Sequence, residues 1–426
     1  MADRRSLTTG RRPMRNRSGS LCPNSTDAIR AIMLACLVAL VNFSGLTGEI
    51  DARAEPVSSS STSAPATHPA IRGLYTMVSL KKGISGTVAD AIKDPNIDGA
   101  FIQDVWADVE PEPQRYDWSR LDDQLAKVKS LGKKVSISIS AGGSTPQWVY
   151  DSGAQSFKTV IVQRKNPQFC EPITIPIPWD PIFLRAWTDF VAAFGRRYAN
   201  NPSVALIKIT GINYHSAETQ LPRDEEKDVS SVDGSRTCHI PDQISQWAAR
   251  GYTSTRIVDA FHTIANAFGR AFPDVPLAIM TGTNAFPALG PDGRPAAQAA
   301  FLSTTDSAEA ESFLSYGRKT FGARFAAQTN GLRVQFVDPA IAGFSATNPT
   351  GYQFDWPVSN DRNCIVGGRK QGCDTIEKRQ AVMAKTIDNA LRAHAQYLEL
   401  FPVDIADPSF NEIISDAHRR LWSTAN

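Results

Sequence analysis

Short apolar runs along the chain each lead into residues able to do polar chemistry. Asp104, Trp106 and Glu110 stand at and after Gly99–Val105, Gln147 and Trp148 follow Lys134–Ser140, and Trp179 and Asp180 close the long loop beyond. The run Val204–Thr210 delivers Asn213, Tyr214, His215 and Glu218, and Asn284 follows Pro276–Thr281. Gln328 and Asn330 lie at the end of Arg324–Thr329, Gln353, Asp355 and Trp356 at the end of Gly351–Asp355, and Glu399 within Gln396–Phe401. Carboxylates move protons, amides and acids bond hydroxyls, and ring faces cover C–H groups. Trp106, Trp148, Trp179 and Trp356 beside Asn213, His215, Asn284, Gln328, Asn330 and Gln353 therefore suit a polyhydroxylated ligand.

These residues need a scaffold that brings the ends of distant runs together. With Gly73–Leu80 the β-rich runs number eight, and between them lie longer stretches of helical period. That alternation is the pattern of parallel βα units, and eight of them in about 350 residues predict an α/β fold, a (β/α)8 TIM barrel with long βα loops. In such a barrel the functional residues cluster at the C-terminal ends of the strands. Phe183, Trp187, Phe190, Val191, Phe194 and Tyr198 form one helical stripe expected to pack on the barrel. Ser119-x-x-Asp122 and Asp374-x-x-Glu377 are expected to start helices.

One segment carries a family pattern. Trp106-Ala-Asp-Val-Glu110-Pro, followed by Tyr116-Asp-Trp-Ser-Arg-Leu-Asp122, resembles the segment after the second strand in clan A glycoside hydrolases, the beta-galactosidase-like barrels. Gly132-Lys-Lys-Val-Ser-Ile-Ser-Ile with Pro146-Gln-Trp148 is similar to their third strand, and Pro178-Trp-Asp180 to the start of their third helix. Gly211-Ile-Asn-Tyr-His-Ser-Ala-Glu218 resembles the end of their fourth strand, where an acid/base glutamate stands. Two positions depart from the pattern. Ala217 rather than Asn precedes Glu218, and the seventh strand ends Gln353-Phe-Asp355-Trp where the family carries a nucleophilic Glu.

The resemblance implies cleavage of an O-glycosidic bond in a poly- or oligosaccharide, which requires two carboxyl groups. Glu218 is the expected acid/base. For its partner two candidates stand open, Asp355 and Glu399. Alternation along the last strand turns Glu399 into the lumen, where it either serves the site or pairs with Lys208 from the fourth strand. The alternative function is a non-catalytic carbohydrate-binding barrel that has lost the strand-seven nucleophile.

Composition narrows the remaining choices. The chain has 426 residues and a net charge of +2, but residues 1–54 hold eight Arg against four acids, leaving a net charge of −2 for the rest. No basic footprint for nucleic acid remains. The apolar run Ala31–Phe43, too short to span a bilayer, precedes Ala52-Arg53-Ala54. Residues 1–54 are thus expected to be a signal peptide, 55–70 a Ser/Pro/Ala-rich linker and 71–426 the catalytic domain, secreted or periplasmic, with no membrane attachment after cleavage. In an oxidising compartment the four later cysteines are expected to pair as Cys170–Cys238 and Cys364–Cys373. No cofactor motif and no metal-ligand spacing is present, and only six His occur in the chain.

Overall fold

The fold is known from a computed structural model that describes residues 71–79, 83–164, 166–283, 285–287, 289, 308–334, 336–358, 365–366, 369–370 and 373–423. The expected signal peptide and linker, Asn284 and Cys364 lie outside the described residues.

Eight strands form a closed parallel barrel: β1 Gly73–Ser79, β2 Gly99–Val105, β3 Lys134–Ser140, β4 Val204–Ile209, β5 Leu277–Met280, β6 Phe325–Leu332, β7 Thr350–Phe354 and β8 Tyr397–Leu400. Each pairs with its sequence neighbours, and β8 returns to β1 through Gly73 opposite Tyr397. The strand boundaries match the apolar runs to within one residue except at the end of β6. That strand continues to Leu332 through an irregularity in its pairing with β7, which carries Asn330 toward the mouth.

The runs are largely apolar because both faces are covered, with polar residues such as Ser136, Ser138 and Lys208 confined to the inward face. Outward residues such as Ile102, Ile137, Ile207 and Ile279 pack under helices, and inward residues fill the lumen. Around the barrel run α1 Thr87–Ala91, α2 Ser119–Ser130, α3 Pro181–Tyr198, α4 Ser254–Ala271, α5 Ala308–Phe321, α6 Pro339–Phe344, α7 Ile376–Arg392 and α8 Asn411–Ser423. The aromatic stripe of α3 is buried throughout, as its spacing predicts. Both expected capping boxes shift. At α2 it is Asp117, not Ser119, whose carboxylate takes the Ser119 amide at 3.0 Å, and at α7 Thr375 caps the Lys378 amide at 3.4 Å in place of Asp374. In each case a neighbouring short polar side chain is the one with extended or turn geometry able to reach back.

The lumen is layered. Tyr75, Leu206, Ala278, Ala326 and Tyr397 form the lower layer. Tyr75 and Tyr397 meet edge to face at 6.3 Å, and their rings occupy the space a side chain would need at Gly99 and Gly351, where a Cβ would lie 2.5 Å and 2.0 Å away. Above them Met77, Phe101, Ala217 and Met280 close the upper core beneath the mouth.

Two antiparallel hairpins decorate that mouth, Ser156–Val160 with Pro172–Pro176 and Lys227–Ser230 with Thr237–Ile240. The disulfide Cys170–Cys238 joins them across 68 residues, one of the two expected pairs. Cys373 is also disulfide-bonded. Among the described residues no helix is long and apolar enough to cross a membrane, and no group of three or more His, Cys, Asp or Glu side chains is arranged to hold a metal ion.

Candidate active site

The segment after β4 does not wander as a free loop. Asn213 turns its side chain back on it, accepting from the Gly211 amide at 2.6 Å and donating to the carbonyls of Ala217 and Glu218 at 2.9 Å each. Thr219 then extends β5 by donating its amide to Met280 at 2.7 Å. The Tyr214 hydroxyl donates to the Val160 carbonyl, which ties the same segment to the first hairpin. Glu218 is fixed on both sides in this way and stands half-buried above the lumen.

Its carboxylate is asymmetric. Ser216 Oγ and Gln220 Nε2 both donate to Oε2 at 2.9 Å, so Oε1 is the oxygen left for a ligand. These neighbours lie two residues to either side, brought onto the carboxylate by the bent segment that Asn213 holds. Burial pushes the Glu218 carboxyl above its usual range. The Ser216 hydrogen bond opposes this, the negative charge of Asp355 reinforces it, and the Arg223 guanidinium opposes it more weakly. Asp355, just beyond β7 and about a third exposed, is therefore within electrostatic reach of Glu218. Arg333 Nε pairs with it at 2.9 Å, a contact that nothing in the sequence singled out.

Glu399 occupies a different level. It is fully buried in an ion pair with Lys208, and Gln328 Nε2 donates to its second oxygen at 2.8 Å. Gln328 Oε1 accepts from Lys208 and from the Tyr397 hydroxyl at 2.8 Å each, while Lys208 Nζ stands 3.5 Å over the Phe101 ring. Every polar atom of this group is satisfied within the protein. Gln328, expected at the ligand, belongs to this buried group, but it passes one hydrogen bond of 2.7 Å to Asn330 Oδ1. That bond leaves the half-buried Asn330 with its Nδ2 donor turned from the network, bonded among the described residues to Met280 Sδ at 3.7 Å.

The other expected ligand-facing residues divide. Among the described residues the half-buried Gln353 has no partner for its Oε1, and His215, edge-on to Tyr214, has none for its Nε2. Burial pushes the His215 imidazole down to about 4, so it is neutral at pH 7. Trp356 is 40% exposed. Trp106 is a correction: it is fully buried against Phe183, Trp187 and Phe190, and its Nε1 donates to Glu110 Oε2 at 2.7 Å, so no ligand reaches it. Trp148 lies edge-on to it at 5.8 Å with Nε1 on the Glu110 carbonyl. Asn213 is likewise used up in the loop rather than offered to a ligand. Trp179 lines a groove with Leu184 of α3 and Ala260 of α4, apart from Glu218 and Asp355. Asp180 caps α3 through the amides of Ile182 and Phe183, and Asp104 pairs with Arg120 under α2.

Comparison with known proteins adds a family. Residues 97–221 match the model of the beta-galactosidase family Glyco_hydro_42, a stretch that runs from before β2 to three residues beyond Glu218. Over this stretch the chain is similar to the beta-galactosidase-like glycoside hydrolases. No curated protein matches the sequence. Among solved structures, the beta-amylase catalytic domain from Paenibacillus polymyxa shares 10% identity over 82% of this chain and 99% of its own, with a TM-score of 0.49. Xylanase 10B from Thermotoga maritima shares 9% over 83% and 96%, with a TM-score of 0.45. A beta-galactosidase from Rahnella sp. R3 shares 11% over 84% of this chain and 57% of its own, also at 0.45.

Proposed function

We propose that this glycoside hydrolase cleaves O-glycosidic bonds in a poly- or oligosaccharide, with Glu218 as the acid/base and Asp355 as the second carboxylate. The observation that carries the reading is the state of Glu218. Burial and the Asp355 charge favour its protonated form, as a general acid requires, and both side-chain donors go to one oxygen, Oε2. Asp355, held by Arg333, is the carboxylate that attacks the anomeric carbon or activates a water. Glu399 does neither on this reading, because its ion pair with Lys208 is closed to solvent. Asn330, Gln353 and His215 supply hydrogen bonds to hydroxyls around the cleaved linkage, and Trp356 an aromatic face.

Export through residues 1–54 belongs to the same proposal, supported by a disulfide of the kind that persists in oxidising compartments. Mass spectrometry of the exported protein is expected to give an N-terminus at Glu55.

The test is hydrolysis of a panel of aryl glycosides and soluble polysaccharides by the wild type, Glu218→Gln and Asp355→Asn. Both variants are expected to lose at least about a thousandfold in kcat, and the anomer released by the wild type tells attack from water activation. Wild-type turnover in Glu218→Gln would refute the assignment. Saccharide binding without hydrolysis of any substrate would instead identify a non-catalytic carbohydrate-binding barrel.

A further inference from the structure

Between the N-terminal halves of α3 and α4, on the outside of the barrel, lies a groove of about 490 Å³, large enough for a small ligand. None of Glu218, Asp355, Asn330, Gln353, His215 and Trp356 lines it. Trp179, Leu184 and Ala260 form its apolar lining, and Gln155, Arg250, Arg256 and Asp259 supply polar groups around them.

The groove is built rather than incidental. Trp247 and Tyr252 pack on Trp179, each at 5.8 Å, and so fix the indole in one orientation at the cost of no further side-chain freedom on binding. Arg250 is held by the carbonyls of Ser156 and Gln246 at 3.3 and 3.2 Å, and Arg256 by that of Gly251 at 2.9 Å. Their remaining N–H groups are positioned donors. The Asp259 carboxylate and the Gln155 side-chain amide make no hydrogen bond among the described residues, so acceptors stand beside the donors. A second hollow, where residues 94–96 meet α8, offers the contrast: it holds Asp94, Glu412 and Asp416 and no aromatic ring.

A flat ring flanked by donors and acceptors of both charges matches a ligand whose faces are C–H and whose edge is a ring of hydroxyls. It fits neither a strongly charged ligand nor a purely apolar one. We propose that this groove is a second saccharide-binding site, separate from the mouth, that holds a remote stretch of a polysaccharide chain. The inference rests on the reading that the protein acts on saccharides, but it concerns different residues.

The experiment is affinity electrophoresis of the full protein in gels containing xylan, barley β-glucan, galactan or laminarin. Every sample carries Glu218→Gln so that the polymer is not consumed. Trp179→Ala is compared with the surface pair Arg256→Ala/Asp259→Ala, whose side chains are exposed and whose thermal midpoint is expected to be unchanged. The expected result is retardation by at least one polymer, weakened about tenfold in both variants. Retardation unchanged in the surface pair, or retardation by none of the polymers, overturns the groove. Hydrolysis by the enzyme with intact Glu218, together with groove-independent retardation, defeats this inference alone. Groove-dependent retardation by a protein that hydrolyses nothing defeats the proposed function and leaves the groove standing.

Discussion

Replacing Lys208 by Met tests whether Glu399 is a structural charge or a catalytic one. Met occupies nearly the volume of the lysine stem and so leaves no large void over Phe101. What it removes is the only cation on a fully buried carboxylate, which then retains a single donor, Gln328 Nε2 at 2.8 Å. Breaking a buried pair on one side costs about 3–5 kcal/mol, because the remaining charge has neither water nor partner. Glu399 can escape only by taking a proton. Burial already holds its carboxyl above the usual range, and Lys208 is the largest opposing influence. Without that lysine the folded state binds a proton that the unfolded state releases above about pH 4.5. The stability of Lys208→Met is therefore present at low pH and lost as pH rises toward the folded value, by up to about 1.4 kcal/mol per unit.

The assay is urea denaturation followed by tryptophan fluorescence at pH 5 and pH 7.5, for the wild type, Lys208→Met, Glu399→Gln and the double variant. Lys208→Met is expected to lose several kcal/mol more at pH 7.5 than at pH 5. The double variant, with a neutral amide in place of the orphaned charge, is expected to recover most of that loss, since neither partner remains to be paired. Glu399→Gln is expected to keep hydrolysis within about tenfold of the wild type, as befits a residue two hydrogen bonds from the mouth. A Lys208→Met protein as stable as the wild type at both pH values would refute the buried-charge argument. A folded Glu399→Gln that has lost a thousandfold in kcat would make Glu399 the second carboxylate after all.

Asp355→Asn removes a negative charge that raises the Glu218 carboxyl, so the basic limb of any residual kcat/KM profile should move to lower pH, and Arg223→Gln should move it to higher pH. A pH–rate profile with the limb unmoved in both would show that Asp355 and Arg223 do not act on Glu218. Asn213→Ala deletes three hydrogen bonds that shape the segment below Glu218, and is expected to lower kcat by about 10–100-fold with a smaller change in KM. Opening Cys170–Cys238 by the double change to Ala releases a loop of 68 residues, a loss of about 4 kcal/mol in the chain-entropy picture, to be read as a lower urea midpoint.

The barrel was legible because strand residues packed under helices must be apolar, and eight β-rich runs stand out between stretches of helical period. The side of the lumen was legible too: alternation put Glu399 and Lys208 inside, and both are there. What alternation does not give is height along the barrel axis. Glu399 lies within β8, in one ring with Lys208 and Gln328, whereas Asp355 stands one residue beyond the end of β7, where water enters. The four tryptophans show the same limit. Trp106 begins a helical turn directly after β2 and is carried outward under α3, while Trp356, just past β7, stays in solvent, although the sequence presents both alike. Asn213 failed as a ligand for another reason. An amide that suits a sugar hydroxyl suits a loop carbonyl equally well, and here three backbone groups were nearer.

Height also bears on the two departures from the family pattern. Asp355 stands one residue beyond the end of β7 and so further toward the mouth than Gln353, which lies within the strand. On the opposite wall, Glu218 is reached only after the turn that Asn213 organises, which likewise carries it beyond the end of β4. On the proposed assignment both carboxylates are thus displaced outward together rather than one being lost. A site raised in this way keeps the two acids within electrostatic reach of each other, as the effect of Asp355 on Glu218 requires. It also leaves the space beneath to the closed group of Lys208, Glu399 and Gln328, which explains how a strand-eight carboxylate can be buried in this lumen without taking part in the chemistry.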